Sequence, residues 1–78
     1  MFERVTIDPN ILHGEPCIRG MRIPVHLVIS LVAAGMTTQQ IIDEYPDLEP
    51  EDIHAALDYA AYVTREQVIP VQVLGVSA

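Results

Sequence analysis

The sequence predicts a small, mainly α fold: a three-helix bundle of helix-turn-helix type with a short β segment at its N-terminal end. Three observations predict it. After residue 24 the apolar residues recur at helical spacing, prolines, glycines and Thr37 punctuate them as helix starts and stops, and the one alternating, β-branched run, FERVTID, precedes them all. The chain has 78 residues, enough for a single core. A domain of that size buries only about 60–65% of the surface its unfolded chain exposes, so a partner surface is the expected stabiliser.

Residues 3 to 7 read as a strand closed by Asp8-Pro9. Helix breakers dominate from 8 to 23, where turns and a loose hairpin with Ile18 and Ile23 facing inward are expected. Pro24 suits the first position of a helix, where its missing N–H has no helical partner, and Gly35 suits the residue just past the helix end. Between them only His26 and Ser30 are polar, so this helix is expected to be buried nearly all round, partly against a second copy of the chain. Val28, Leu31 and Val32 are its candidate dimer contacts.

Thr37 and Gln40 have the spacing of a capping box, with Met36, Ile41, Ile42 and Tyr45 facing inward and Pro46 ending the second helix. In the third helix, within 47–67, Pro50 falls in the first turn and Glu49, Glu51 and Asp52 lie at the positive end of the helix dipole. Ile53, Ala56, Leu57, Ala60 and Ala61 follow the spacing of a core face. Ala55, Tyr59 and Tyr62 form a second stripe, read either as an amphipathic surface or, for Tyr59 and Tyr62, as dimer interface. Residues 1–67 form the domain; 68–78, VIPVQVLGVSA, are an apolar, uncharged tail expected to dock in extended form on the chain's own dimer or on another protein.

Composition narrows the function. Half the residues are apolar and only 19% charged, more apolar surface than one small core can cover. Eleven acids oppose four arginines and no lysine, a formal charge of −7, whereas nucleic-acid affinity rests on basic side chains neutralising phosphates. DNA is therefore a disfavoured partner, although the tight YPDL link between the last two helices resembles a helix-turn-helix. In that geometry Glu49, Glu51, Asp52 and Asp58 would face phosphates. The single cysteine allows no internal disulfide, and no apolar run reaches the roughly 20 residues that span a bilayer or resembles a signal peptide, so the expectation is a soluble, cytoplasmic protein without a membrane.

The stretch HGEPCIRGMRIP, residues 13–24, is the most site-like. Cys17 with His13 and His26 falls short of the four ligands of a structural zinc site, and no spacing sets Cys17 against His13, His26 or His54 as an activated nucleophile. Glu15 as a general base would need a ligand cleft of several hundred Å³, which is expected to consume most of the core. No cofactor, metal or enzymatic activity is expected. Arg19 and Arg22 are read first as internal partners of Asp8, Glu15 or backbone carbonyls.

The motifs IDP, G.PCIRG.RIPV, L..GM...II..YP.L and DI.AAL.YA, spread over residues 5 to about 63, resemble the domain of unknown function 433 family (DUF433). Glu49 and Pro50 depart from the Thr-led cap more usual there. The resemblance implies a homeodomain-like three-helix core after a short β segment, often dimeric. It also implies an antitoxin of the VapB type in a type II toxin–antitoxin system, encoded beside a PIN-like nuclease toxin and neutralising it by protein–protein interaction. Arg19, Arg22 and Arg65 are then candidates to reach the nuclease carboxylates, with Val71, Val73 and Leu74 as apolar contacts. The alternative is a helix-turn-helix DNA-binding autoregulator.

Overall fold

The protein is described by a computed structural model covering residues 2–65. Its elements run β1 (Val5–Ile7), a one-turn 3-10 segment (Leu12–Gly14), β2 (Pro16–Ile18), α1 (Val25–Ala33), α2 (Thr38–Glu44) and α3 (Pro50–Arg65). Val71, Val73 and Leu74 lie outside the described residues.

β1 and β2 form an antiparallel two-stranded sheet in which Val5 faces Ile18, Thr6 faces Cys17 and Ile7 faces Pro16. This pairing is longer-range than the hairpin expected within 8–23, but Ile18 and Ile23 do turn inward: Ile18 is fully buried, Ile23 packs against the core, and the Ile18 N–H donates to the Ile23 carbonyl at 3.0 Å. Arg19 and Gly20 turn the chain at φ 44° and 73°, and the Met21 N–H closes the turn on the Ile18 carbonyl at 2.8 Å. Two successive positive φ angles are those of a type I′ turn. Glycine is at ease there, whereas an arginine is held against its preference.

Pro24 precedes α1 as its extended N-cap and pairs with Cys17 in an isolated bridge. Gly35, at φ 96°, takes the left-handed position that ends the helix, and its N–H donates to the Val32 carbonyl. α2 opens with the expected capping box: the Gln40 N–H donates to Thr37 Oγ1 at 3.1 Å and the Thr37 N–H to Gln40 Oε1 at 2.9 Å. A tight turn through Pro46 and Asp47 then leads into α3.

The core lies where these elements converge: Ile18 from β2, Val25 and Val28 from α1, Ile41 from α2, Leu48 from the turn, and Ile53 and Ala56 from α3. Two expectations are corrected. Val28 is 0% exposed, so this candidate dimer contact packs the chain's own core and offers nothing to a second copy; Leu31 and Val32 are half-buried against that core. On α3 the inward face is rotated from the one expected, because Leu57 is 39% exposed and Ala61 is exposed, while Asp52 is wholly buried beside Ile53 and Ala56. A buried carboxylate is stable only where it is paired, and its partners set the helix's rotation.

The capping box predicts a measurable loss. Thr37→Ala is expected to lower stability by about 1 kcal/mol and the thermal midpoint by roughly 4–8 °C. In a double-mutant cycle with Gln40→Ala, the combined loss should fall short of the sum, since the two side chains satisfy each other's backbone N–H groups.

Candidate functional site

The most concentrated chemistry in the described chain is the surroundings of Asp52. Strand register creates the need for it. The Arg19 N–H donates to the Arg4 carbonyl at 2.9 Å, which continues the sheet by one pair and sets two arginines opposite each other, an arrangement that repels by itself. Asp52, in the first turn of α3, sits between them. Its Oδ1 accepts from Arg4 Nη1 at 2.8 Å and Arg19 Nε at 3.0 Å, and its Oδ2 from Arg19 Nη2 at 2.8 Å and the Glu49 N–H at 2.8 Å. Four donors fill the roughly four acceptor positions of a carboxylate. Arg19 Nη2 also donates to the Asp47 carbonyl at 2.8 Å, and Arg4 Nη1 to Glu49 Oε1 at 2.9 Å.

Burial works to raise the pKa of Asp52, but the hydrogen bonds from Arg19, from the Glu49 backbone and from Arg4 outweigh it and hold the group at about 2 against an ordinary 3.8. Both guanidinium groups are correspondingly pushed up by their hydrogen bonds to Glu49 and Asp52 for Arg4, and to Asp52 for Arg19. A carboxylate so tightly bound has neither a free lone pair nor a tendency to take a proton near neutrality. It is a structural group with no aptitude for acid–base work.

Cys17 is buried, and its thiol donates to the Glu15 carbonyl at 3.3 Å. Burial and the nearby Glu15 charge push its pKa up, so at neutral pH it is a thiol and a poor nucleophile. His26 Nε2 lies 3.1 Å from Glu15 Oε1 and His54 Nε2 lies 3.5 Å from Asp58 Oδ2, both pairs at the surface. His13, Cys17 and His26 do not form a joint site, and among the described residues no three His, Cys, Asp or Glu side chains gather as metal ligands do.

The remaining feature is an open groove of about 300 Å³, lined by Pro16 from β2, Val25 and Ile29 from α1, and Tyr59, Ala60 and Val63 from α3, with Glu15, His26 and Thr64 at its edge. A cleft of this size is expected from the sequence to consume most of the core, and it does not. It exists because it lies on the surface between α1 and α3, where small Ala60 stands beside large Tyr59, and so it leaves the core intact.

The sequence-predicted residues are scattered around these two features. Arg19 belongs to the Asp52 cluster: it pairs internally, as expected, with a backbone carbonyl, that of Asp47, but its carboxylate partner is Asp52 in place of Asp8 or Glu15. Arg22 is exposed on the hairpin, and Arg65 is exposed at the end of α3. Phe2 packs edge-on against Tyr59 with ring centres 5.3 Å apart and lies 5.1 Å from Tyr62, so the chain's own N-terminal segment covers part of the tyrosine stripe; Tyr62 stays 38% exposed. Asp52 was legible in the sequence only as a dipole-compatible acid.

The family profile described as a protein of unknown function, DUF433, matches residues 5–60, a span that holds the hairpin, all of α1 and α2, and most of α3. The chain belongs to the DUF433 family. It is 43% identical over 58 residues to the uncharacterized protein y4eO of Sinorhizobium fredii (strain NBRC 101917 / NGR234), a match covering 74% of this chain and 26% of that one. A crystal structure of a DUF433 member protein from Anabaena variabilis superposes with a TM-score of 0.74 at 28% identity, over 82% of this chain and 63% of the other. The chain thus spans about a quarter of the curated relative and less than two thirds of the crystallised one.

In this DUF433 chain the Asp52 cluster predicts a particular acid response. The unfolded chain takes up the proton on Asp52 near 3.8 and the folded chain only near 2, so the stabilisation is complete above the higher value and is lost as pH falls towards the lower. It amounts to about 2 kcal/mol. Urea unfolding at pH 6 and pH 3 should show about half of that loss in the natural chain. In Asp52→Asn the stability should already be about 3 kcal/mol lower at pH 6, at the low end for a broken buried pair because both arginines can rehydrate, and the change between the two pH values should shrink. For Cys17, alkylation should be slow in the folded protein and prompt in denaturant; rapid native labelling would contradict its burial.

Proposed function

We propose that this chain is a protein-binding module of the antitoxin type, acting in the cytoplasm as a homodimer that neutralises a PIN-like nuclease toxin by occupying it. The observation that carries the reading is how the polar groups are used. Asp52, Arg4 and Arg19 are engaged with one another, and the outward surface combines acidic side chains with exposed apolar ones, Ile7 at 61%, Leu57 and Tyr62. A surface of that kind supports association. Family membership and net acidity favour the same reading. Among the described residues no helix is long and apolar enough to cross a membrane.

Inhibition of a metal-dependent nuclease by an inserted arginine requires a guanidinium able to leave its own chain. Arg19 is held by three hydrogen bonds to Asp52 and the Asp47 carbonyl, which leaves Arg22 on the hairpin and Arg65 at the end of α3 as the arginines for that role. Leu74 supplies the apolar contact, and Leu31, Val32, Tyr59 and Tyr62 the dimer contact.

The α2–α3 pair, read as a homeodomain-like helix-turn-helix, raises the alternative of DNA autoregulation. The start of α3 argues against it, because Glu51 is exposed there and the two nearest arginines are already paired with Asp52 and Glu49. Gel shifts with the DNA upstream of the gene should show no binding even at low salt.

Co-expression with the product of the adjacent reading frame, followed by affinity capture and a growth assay, tests the antitoxin reading. A stable complex and rescue of growth are expected. Arg22→Ala should weaken neutralisation at least tenfold while leaving the thermal midpoint within about 2 °C, as surface substitutions do. No complex with the natural chain would sink the proposal.

A further inference from the structure

The groove between α1 and α3 is apolar along its floor and ends at Val63 and Thr64, within one turn of Arg65, the last residue of α3. The sequence continues from there as EQVIPVQVLGVSA, without a charge after Glu66. We propose that the groove is the docking site of the chain's own segment Ile69–Val73, bound in extended form beside the end of α3.

Four arguments select this occupant. Pro70 disfavours helical geometry at Ile69, which favours an extended segment there over a continuation of α3. In an extended segment alternate side chains share a face, which places Ile69, Val71 and Val73 together and turns Gln72 to water. The reach agrees, because residues 66–68 span up to about 10 Å, enough to reverse direction into a groove that opens one turn away. A tether this short holds the segment at an effective concentration in the millimolar range, an advantage that the tail of a second copy or another protein lacks.

The docked segment would leave Leu74 on the outer face, open to a partner. The inference concerns the chain alone and does not rest on the toxin reading.

Two experiments on the full chain test it. In the natural protein, amide exchange at Val71, Gln72 and Val73 is expected to be at least tenfold slower than in an unstructured peptide. Ala60→Glu, which puts a charge on the groove floor, should remove that protection while leaving the amides of α1 protected. Free exchange at these three amides in the natural chain overturns the proposal. For the identity of the occupant, Val63→Cys and Val71→Cys are combined in a Cys17→Ala background and oxidised mildly at low protein concentration. A disulfide within one chain is the expected product. A disulfide-linked dimer would assign the groove to the tail of a second copy, and absence of any disulfide would leave the groove without this segment; either result overturns the proposal.

Discussion

One buried carboxylate ties together the parts of this small fold that stand farthest apart in sequence. Asp52 joins the β hairpin, through Arg4 and Arg19, to the first turn of α3, and Arg19 extends the connection to the Asp47 carbonyl in the turn between α2 and α3. Three parts of the chain that are remote in sequence meet on its two oxygens. Taking a carboxylate fully out of water costs several kcal/mol, a penalty that its four donors offset without leaving a large surplus. What the arrangement supplies is therefore mainly specificity: a slipped strand would separate the arginines, and a rotated α3 would bury the carboxylate without partners.

That constraint bears on function through the charges it commits to internal pairing. Four arginines are the whole basic content of the chain, and two of them are committed to Asp52. Acid at the start of α3 faces solvent where a DNA-reading helix needs positive charge. The same helix carries the apolar groove along its other end. Acidic side chains and an apolar groove on one short bundle fit the protein-binding role proposed above, in which shape and charge would select the partner.

Much of the fold was legible in the sequence because it rests on local rules. Thr37 with Gln40, Gly35 after α1, Pro24 before it and Ile18 turned inward all follow from contacts a few residues apart. Asp52 was not legible, since an acid in the first turn of a helix already has a sufficient local explanation in the helix dipole, and its partners stand 33 and 48 residues away. Missing that pairing also misplaced the face of α3. Leu57 fits the spacing of a core stripe as well as Ile53 does, and only the demand to bury Asp52 turns it towards water. The groove escaped notice for a similar reason: a gap depends on which neighbour stands beside a small residue, and periodicity records only that Ala60 is apolar.

The turn at Arg19 shows how firmly the pairing governs the hairpin. Type I′ turns favour asparagine, aspartate or glycine at both central positions, and a side chain such as arginine in the left-handed region carries a penalty of about 1–2 kcal/mol. Arg19 sits there at φ 44°, with Gly20 behind it at 73°. A residue better suited to the backbone would be too short to reach Asp52, so the bidentate pair must return at least that penalty, and the strain has an identifiable counterpart 33 residues away. The stretch that in sequence resembles a site because it gathers cysteine, histidine and arginine thus owes its arginine at position 19 to architecture. Arg22, three residues further on and exposed, is under no such obligation, which is why the two must be considered separately wherever a partner is involved.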